Sequence, residues 1–151
     1  MPDEIHHFHL ESTWTGDSAG DGLVRAGQYQ IEYGLPVEFG GSPTRTNPEE
    51  LLMSSVAACY SLTLAYLAER RKLPVDRIEM RVEGDVFRQA GGTLKFVAIR
   101  LFPRVFLGTA DESSIQTATD FAHKADQYCL ISNAIRGSVE LSVSPEIVTG
   151  G

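Results

Sequence analysis

The chain has 151 residues and a formal net charge of −7, with 42% hydrophobic and 22% charged residues. This composition is typical of a soluble globular protein, and the length suits a single domain over residues 1–151. The negative charge disfavours nucleic acid and anionic membrane surfaces as partners, because their phosphate groups would repel the protein.

Two features of the sequence bear on the cellular location of the protein: the N-terminus and the longest apolar runs. The start, MPDEIHHFHLES, carries acids and histidines where a signal peptide needs a basic start and an apolar stretch. We find no uninterrupted run of about 18 apolar residues and therefore predict no membrane span. We expect a cytoplasmic protein, in which a permanent structural disulfide is disfavoured. A reactive pair formed by the two cysteines, Cys59 and Cys129, stays open.

The first third of the chain alternates in the manner of β-strands. Phe8 and Leu10 in HHFHLESTW would share one strand face. The segment GDSAGDG, residues 16–22, has the composition of a turn, and GGSPTRT, residues 40–46, that of a loop leading into a helix. The segment GLVRAGQYQIEYG continues the strand pattern with the apolar residues Leu23, Tyr29, Ile31 and Tyr33.

The first predicted helix begins at Asn47, whose side chain can cap it. Pro48 suits the first helical position, and Glu50 stands where it completes a capping box. The helix is expected to end near RRKLP, before Pro74. Small residues just before Cys59 would let another backbone approach closely. The predicted buried stripe consists of Leu52, Val56, Cys59, Thr63 and Tyr66.

The second half of the chain predicts a long β-hairpin that turns at Ala90-Gly91-Gly92. A second helix follows, capped by Asp111 or Ser113, and a short helical turn begins near Cys129. The segment SVELSVSPEIV closes the chain as a strand. This order predicts an α+β domain with antiparallel sheet, and the chain contains no GxGxxG or P-loop motif. The apolar face of the second helix consists of Ile115, Ala118, Phe121, Ala122 and Ala125.

The two cysteines admit several interpretations. A lone cysteine on an apolar helix face is commonly a small hydrophobic filler. A zinc site is poorly supported, because the cysteines form no CxxC and His123 has no HExxH partner. A redox pair is the third interpretation, in which an ionised thiol attacks a peroxide and a second thiol then forms a disulfide with the resulting sulfenic acid. The other histidines crowd a solvated N-terminus: His6, His7 and His9.

Two stretches resemble a known family. TNPEELLMSSVAACYSLTLA, residues 46–65, looks like the signature of the OsmC/Ohr proteins, the osmotically inducible and organic-hydroperoxide-resistance proteins. YCLISNAIRGSVEL, residues 128–141, resembles the family's second-cysteine motif. The spacing of the cysteines, the element order, TWTGD and PVEFGG also fit, so the resemblance covers nearly the whole chain.

The resemblance implies a thiol peroxidase that reduces alkyl or fatty-acid hydroperoxides. It implies an OsmC-like fold with a long central helix, built as an intertwined homodimer with active sites at the interface. By position, Cys59 matches the peroxidatic cysteine, Cys129 the resolving cysteine and Glu49 the glutamate of the NPE motif. No metal or bound cofactor is implied, since small or lipoyl-type dithiols recycle family members.

Spacing adds a constraint on Glu49. Ten residues separate it from Cys59, which is about 15 Å along one straight helix. A glutamate that serves Cys59 would therefore have to come from the other subunit.

The sequence departs from the family pattern at an arginine that favours the thiolate. The OsmC branch has it shortly after a Tyr-Gly pair, where this chain has Glu38, and the nearest substitutes are Arg45 and Arg25. Leu130 also stands where proline is usual. Two alternatives to the peroxidase therefore stay open: a non-catalytic domain that binds a small apolar ligand or senses redox state, and a structural dimer with inert thiols.

Overall fold

Seven β-strands and three α-helices form the computed structural model, which describes residues 2–108 and 111–150. Contacts group the chain into two units, Met1–Leu52 and Met53–Gly151. The α+β class predicted from the order of elements is confirmed.

The first unit is built on a three-stranded antiparallel sheet in the order β1-β2-β3. A tight turn at Gly27, which has a φ of +59°, joins β2 to β3; this left-handed backbone suits a residue without a Cβ. The bounds are β1 Glu11–Thr15, β2 Asp21–Ala26 and β3 Tyr29–Tyr33.

The predicted strand through the N-terminal histidine segment is wrong before Glu11. Phe8 and Leu10 precede β1 and are 89% and 63% exposed. A stretch of alternating apolar residues this short forms a strand only if a neighbouring strand supplies hydrogen bonds. In the first unit β1 pairs with β2 from Glu11 onward.

Helix α1, Pro48–Arg70, begins as predicted. Asn47 Oδ1 accepts a hydrogen bond of 2.8 Å from the amide of Glu50, which is the expected cap. The Glu50 carboxylate accepts from the Thr46 hydroxyl at 3.1 Å. At the other end Lys72 takes a left-handed conformation, φ 55°, and the amide of Leu73 returns to the carbonyl of Ala68 at 2.9 Å. Both ends of the helix are thus closed by local hydrogen bonds.

The predicted buried stripe of α1 is only partly right. The residues that are buried recur every fourth position: Val56, Tyr60, Leu64 and Ala68. Cys59 and Thr63 lie half-buried beside this stripe, whereas Tyr66, predicted inside, is 55% exposed. Residues three and four positions apart both fall on the same face of a helix, so sequence spacing did not separate the two stripes.

Much of the apolar surface of α1 is uncovered in the single chain. Only 22% of its most apolar 18-residue stretch is buried. By length and composition alone the helix could cross a membrane, which corrects the expectation that no segment would pass that test. Leu62 is 72% exposed on this surface.

The second unit has a mixed sheet centred on β5. Strands β4 and β5 form the predicted antiparallel hairpin, while β6 and β7 both pair with β5 in parallel. The single closing strand predicted from the sequence is therefore two strands, separated at Ser144-Pro145. The bounds are β4 Val75–Arg88, β5 Leu94–Leu107, α2 Glu112–Tyr128, α3 Leu130–Ile135, β6 Glu140–Val143 and β7 Glu146–Thr149.

Helices α2 and α3 carry the chain from β5 back to β6, which is why the last strands run parallel to β5. Asp111 caps α2 by accepting from the amide of Ser114 at 2.7 Å, so the first of the two predicted caps is confirmed. The core of this unit is completed by buried residues of the sheet and of α2, namely Ile99, Leu101, Val105, Leu107, Ala118, Ala122 and Ala125.

Tyr60 connects α1 to α2 inside this core. Its side chain is fully buried, and its hydroxyl donates a hydrogen bond to the carbonyl of Ala122. Burial and the nearby Asp126 carboxylate raise the pKa of Tyr60, so the phenol stays protonated and remains a donor.

Removing this hydroxyl by Tyr60→Phe leaves a buried carbonyl without its donor. We expect a loss of about 1–3 kcal/mol in the free energy of unfolding. Urea denaturation at matched protein concentration measures it through the midpoint at constant slope. Tyr29→Phe, at a tyrosine that is 55% exposed, is the control and should change stability by less than about 0.5 kcal/mol. Equal effects of the two substitutions would contradict the role of the buried bond.

Candidate active site

Cys59 lies near the middle of α1, beside the buried stripe, with its thiol free and partly accessible. One turn later, Thr63 donates its hydroxyl to the Cys59 carbonyl at 2.8 Å. A rigid helix therefore carries the thiol, and its partial exposure leaves it open to a reactant of small size.

Cys129 is the single residue between α2 and α3. It serves as the last cap of one helix and the first cap of the next, with φ −76° and ψ 115°. The thiol is completely buried and free, and the amide of Ser132 donates to its Sγ at 3.4 Å. The predicted helical turn beginning at Cys129 is thus confirmed, and it places this thiol in the interior.

The fold brings the two cysteines together. Burial alone would raise the pKa of the Cys59 thiol, and it is the largest single influence. Hydrogen bonds from the amide of Ile131, the Cys129 thiol and the amide of Leu130, with a smaller one from Thr63, together outweigh burial. The pKa of Cys59 is consequently lowered, which favours the thiolate.

Cys129 shifts in the opposite direction. Burial raises its pKa, and the contact with Cys59 adds to the rise, although the side chain and amide of Ser132 oppose it. The neighbouring thiols are therefore inequivalent: Cys59 is the better nucleophile, and Cys129 holds its proton and donates it toward Cys59.

The sequence did not identify which groups lower the pKa of Cys59. All of them in the described part of the chain are uncharged donors: two main-chain amides, a thiol and a hydroxyl. Main-chain amides carry no residue-type signal, so nothing in the sequence singled out Leu130 and Ile131 as donors to Cys59. Arg45, one of the two arginines suggested from the sequence, pairs with Asp21 and donates to the carbonyl of Gly20 at 3.3 Å.

Glu49 occupies the first turn of α1. One of its carboxylate oxygens, Oε2, is buried and has no hydrogen-bond partner among residues 2–108 and 111–150. Glu49 and Cys59 belong to one unbroken helix, so their separation of about 15 Å along the axis stands. A buried carboxylate oxygen without a donor costs free energy unless another group supplies one.

No group of three or more His, Cys, Asp or Glu side chains that could hold a metal ion occurs within the two described ranges. His6, His7 and His9 are all exposed, and His6 lies 3.3 Å from Glu4. His123 is exposed on α2.

The fold and the site define an α+β protein with a pair of adjacent, inequivalent thiols. The sequence profile of the family described as OsmC-like protein matches residues 39–144. The chain belongs to this OsmC family, as the resemblance in its two cysteine motifs indicated.

Relatives match over nearly the full length. The uncharacterized protein YmaD of Bacillus subtilis is 33% identical over 147 residues, with 97% of each chain covered. An organic hydroperoxide resistance protein of Xanthomonas axonopodis pv. citri is 29% identical over 139 residues, which cover 91% of this chain and 93% of that one.

Solved structures share the fold. The crystal structure of an organic hydroperoxide resistance protein OsmC from Legionella pneumophila superposes with a TM-score of 0.72 at 22% identity, covering 94% of this chain and 99% of that one. At this identity the likeness establishes the fold, and the OsmC-like fold expected from the sequence is confirmed.

The opposite pKa shifts predict two separate alkylation profiles. Because its pKa is lowered, Cys59 becomes thiolate at lower pH, so its iodoacetamide labelling should reach half its plateau at a lower pH than that of Cys129. Peptide mapping by mass spectrometry after short pulses between pH 5 and about 10 reads both sites in one sample. Burial should also slow Cys129 over the whole range. A lower midpoint at Cys129 would contradict the assignment of the nucleophile.

Proposed function

We propose that the protein is a thiol peroxidase that reduces organic hydroperoxides through Cys59 and Cys129. One observation carries the proposal: a partly accessible thiol with a lowered pKa contacts a buried thiol with a raised pKa. An inert core cysteine needs neither the donors nor the partner. Relatives named organic hydroperoxide resistance proteins support the substrate class.

In the first step, the Cys59 thiolate attacks the distal oxygen of the hydroperoxide. An S–O bond forms as the O–O bond breaks, and the leaving alkoxide takes a proton to become an alcohol. Cys59 loses two electrons and becomes a sulfenic acid. The amides of Leu130 and Ile131 hold the thiolate in place before attack, because they already donate to its sulfur.

In the second step, the Cys129 sulfur attacks the sulfenic sulfur. A disulfide forms, and the sulfenic hydroxyl leaves as water with the proton that Cys129 carried. The contact between the thiols means that little movement is needed. An external dithiol of the lipoyl type would then reduce the disulfide by exchange, so no resident cofactor takes part.

The surroundings of Cys59 favour an apolar substrate. The Leu130 side chain, next to Cys129 in the chain, presents apolar surface that is 72% exposed. Contact between such surface and an alkyl chain removes apolar area from water and so favours binding. Hydrogen peroxide has no alkyl chain and gains no such contribution. We therefore assign alkyl or fatty-acid hydroperoxides as the substrate class.

Cysteine variants separate the two steps. We expect Cys59→Ser to reduce turnover of cumene hydroperoxide with a dithiol reductant by about 10³-fold or more, since the nucleophile is lost. Cys129→Ser should consume one equivalent of peroxide to form sulfenic acid at Cys59 and a further equivalent as that acid is over-oxidised to sulfinic acid, visible as successive mass increases. Equal oxidation of wild type and Cys59→Ser would rule out the peroxidase, and disulfide formation in Cys129→Ser would rule out the resolving role.

The exposed face of α1 supports a homodimer. The helix is apolar, and Leu62 and Tyr66 project from it uncovered. Together with neighbouring residues of the second unit they line a groove of about 670 Å³. We assign this face to a second copy, because the family resemblance implies packed central helices and small residues such as Ala58 and Ala65 let helices approach closely. Burial against protein also accounts for its hydropathy without a membrane, in keeping with a cytoplasmic location.

A dimer offers a role to Glu49. Its unpartnered Oε2 needs a donor, and its place on α1 keeps it far from the Cys59 of its own chain. We assign Glu49 to the site of the partner subunit, where its carboxylate would orient a donor to the thiolate. The donor is one of the arginines of the chain, with Arg45 and Arg25 the candidates.

Subunit mixing tests this assignment. Glu49→Gln and Cys59→Ser chains, each weakly active alone, should recover about one quarter of wild-type activity when unfolded together and refolded, because half of the dimers are mixed and each has one intact site of two. Glu50→Gln, one residue further on, is the matched control and should be active without mixing. Absence of recovery, with mixed dimers present by native mass spectrometry, would contradict the assignment of Glu49 to the site of the partner subunit.

A redox sensor is the second candidate. The observation in its favour is that the donors to Cys59 are all uncharged, which would give a smaller fraction of thiolate and a slower reaction than an arginine-assisted site. A sensor would form the same disulfide once per oxidant but turn over slowly with any dithiol. The turnover assay with dithiol reductants therefore separates the two.

A further inference from the structure

The junction between α2 and α3 is held by side chains that the proposed reaction does not itself use. Arg136, the residue after α3, donates from Nη2 to the main-chain carbonyl of Asp126 at 3.0 Å and to its carboxylate oxygen Oδ2 at 3.3 Å. Its Nε donates to Asn133 Oδ1 at 3.3 Å. Asn133 in turn donates from Nδ2 to the carbonyl of Gln127 at 3.0 Å. We call Arg136, Asp126 and Asn133 the junction clamp.

The clamp ties the short helix α3 to the last turn of α2. Asp126 and Gln127 lie in that turn, and Asn133 lies in α3. Cys129 is the one residue between the two helices, so the angle between them sets where its thiol points. A six-residue helix has little stability of its own and depends on such tertiary contacts.

The ion pair of the clamp is shielded from solvent on one side. The Asp126 side chain is 13% exposed and that of Arg136 is 43% exposed. Loss of the arginine would leave a largely buried carboxylate without its cation, which disfavours the present packing of the junction. The Tyr60 phenol from α1 also lies near the Asp126 carboxylate, so this carboxylate interacts with groups of both α1 and the end of α3.

The geometry requires an arginine. Two different nitrogens, Nε and Nη2, donate to two different residues, Asn133 and Asp126. A planar guanidinium presents these donors in a fixed fork, whereas a lysine ammonium supplies the charge from one point.

The same junction supplies most of the donors to Cys59. The amides of Leu130 and Ile131 belong to the first turn of α3, and the Cys129 thiol lies immediately before it. We propose that Arg136 is a positioning residue for the thiol pair: by holding α3 against the end of α2, it keeps both amides and the Cys129 thiol within reach of Cys59. This inference rests on the proposed function, since the chemistry that it serves is that of the pair.

The test compares Arg136→Met and Arg136→Lys with wild type in three measurements: Tm, the pH midpoint of Cys59 alkylation, and the rate of disulfide formation after one equivalent of cumene hydroperoxide. In Arg136→Met we expect the midpoint to rise and disulfide formation to slow about tenfold, because small displacements of reacting groups are costly. Arg136→Lys should recover Tm but not the rate. If Arg136→Met does not fold, Arg136→Lys carries the same comparison.

Arg100→Met is the matched control. Arg100 forms a two-bond ion pair with Asp85, at 2.8 and 2.9 Å, between β5 and β4. Its loss should lower Tm while the alkylation midpoint and the disulfide rate stay at wild-type values. A wild-type midpoint and rate in an Arg136 variant, whatever its Tm, would overturn the proposal. If wild-type protein does not react with the hydroperoxide, the peroxidase proposal fails, while the alkylation midpoints still decide the role of Arg136.

Discussion

The lowered pKa of Cys59 depends on the contact between its thiol on α1 and the beginning of α3. Burial opposes ionisation of that thiol, and two main-chain amides with the Cys129 thiol overcome it. Among the described residues, the first turn of a short helix, rather than a charged side chain, therefore contributes most to lowering the pKa of Cys59. Amide donors are held by the backbone and need no side-chain ordering, so they stay aimed at the sulfur only as long as the junction that carries them is held.

Two features of α1 then have one explanation. Its apolar surface is largely uncovered in the single chain, and Glu49 near its start has a buried oxygen without a donor. Both are unfavourable in an isolated chain, the first because water contacts apolar surface and the second because a buried acceptor is unpaired. A second copy packed along α1 would relieve both and complete the site, which is why we treat dimer and active site as one proposal.

Local signals predicted well wherever neighbouring residues decide the outcome. Asn47 and Pro48 marked the start of α1, Asp111 the start of α2, and Gly91-Gly92 the turn of the long hairpin. The failures involve distant partners. Phe8 and Leu10 were assigned to a strand that does not extend so far, and the final strand proved to be two strands parallel to β5. Strand pairing joins residues far apart in sequence, so alternation alone does not reveal it.

The sequence by itself determined the class of the fold, the family, and the two cysteines worth attention, because capping residues, turn residues and the two motifs are local patterns. Only the tertiary structure decided that Cys59 and Cys129 touch, that their pKa values move in opposite directions, and that uncharged amides are the donors. Main-chain amides are the same at every residue except proline, so the residue types in the sequence do not indicate which amides donate to Cys59. Their effect on Cys59 depends on where folding places the start of α3, and Arg136 shows how that place is held.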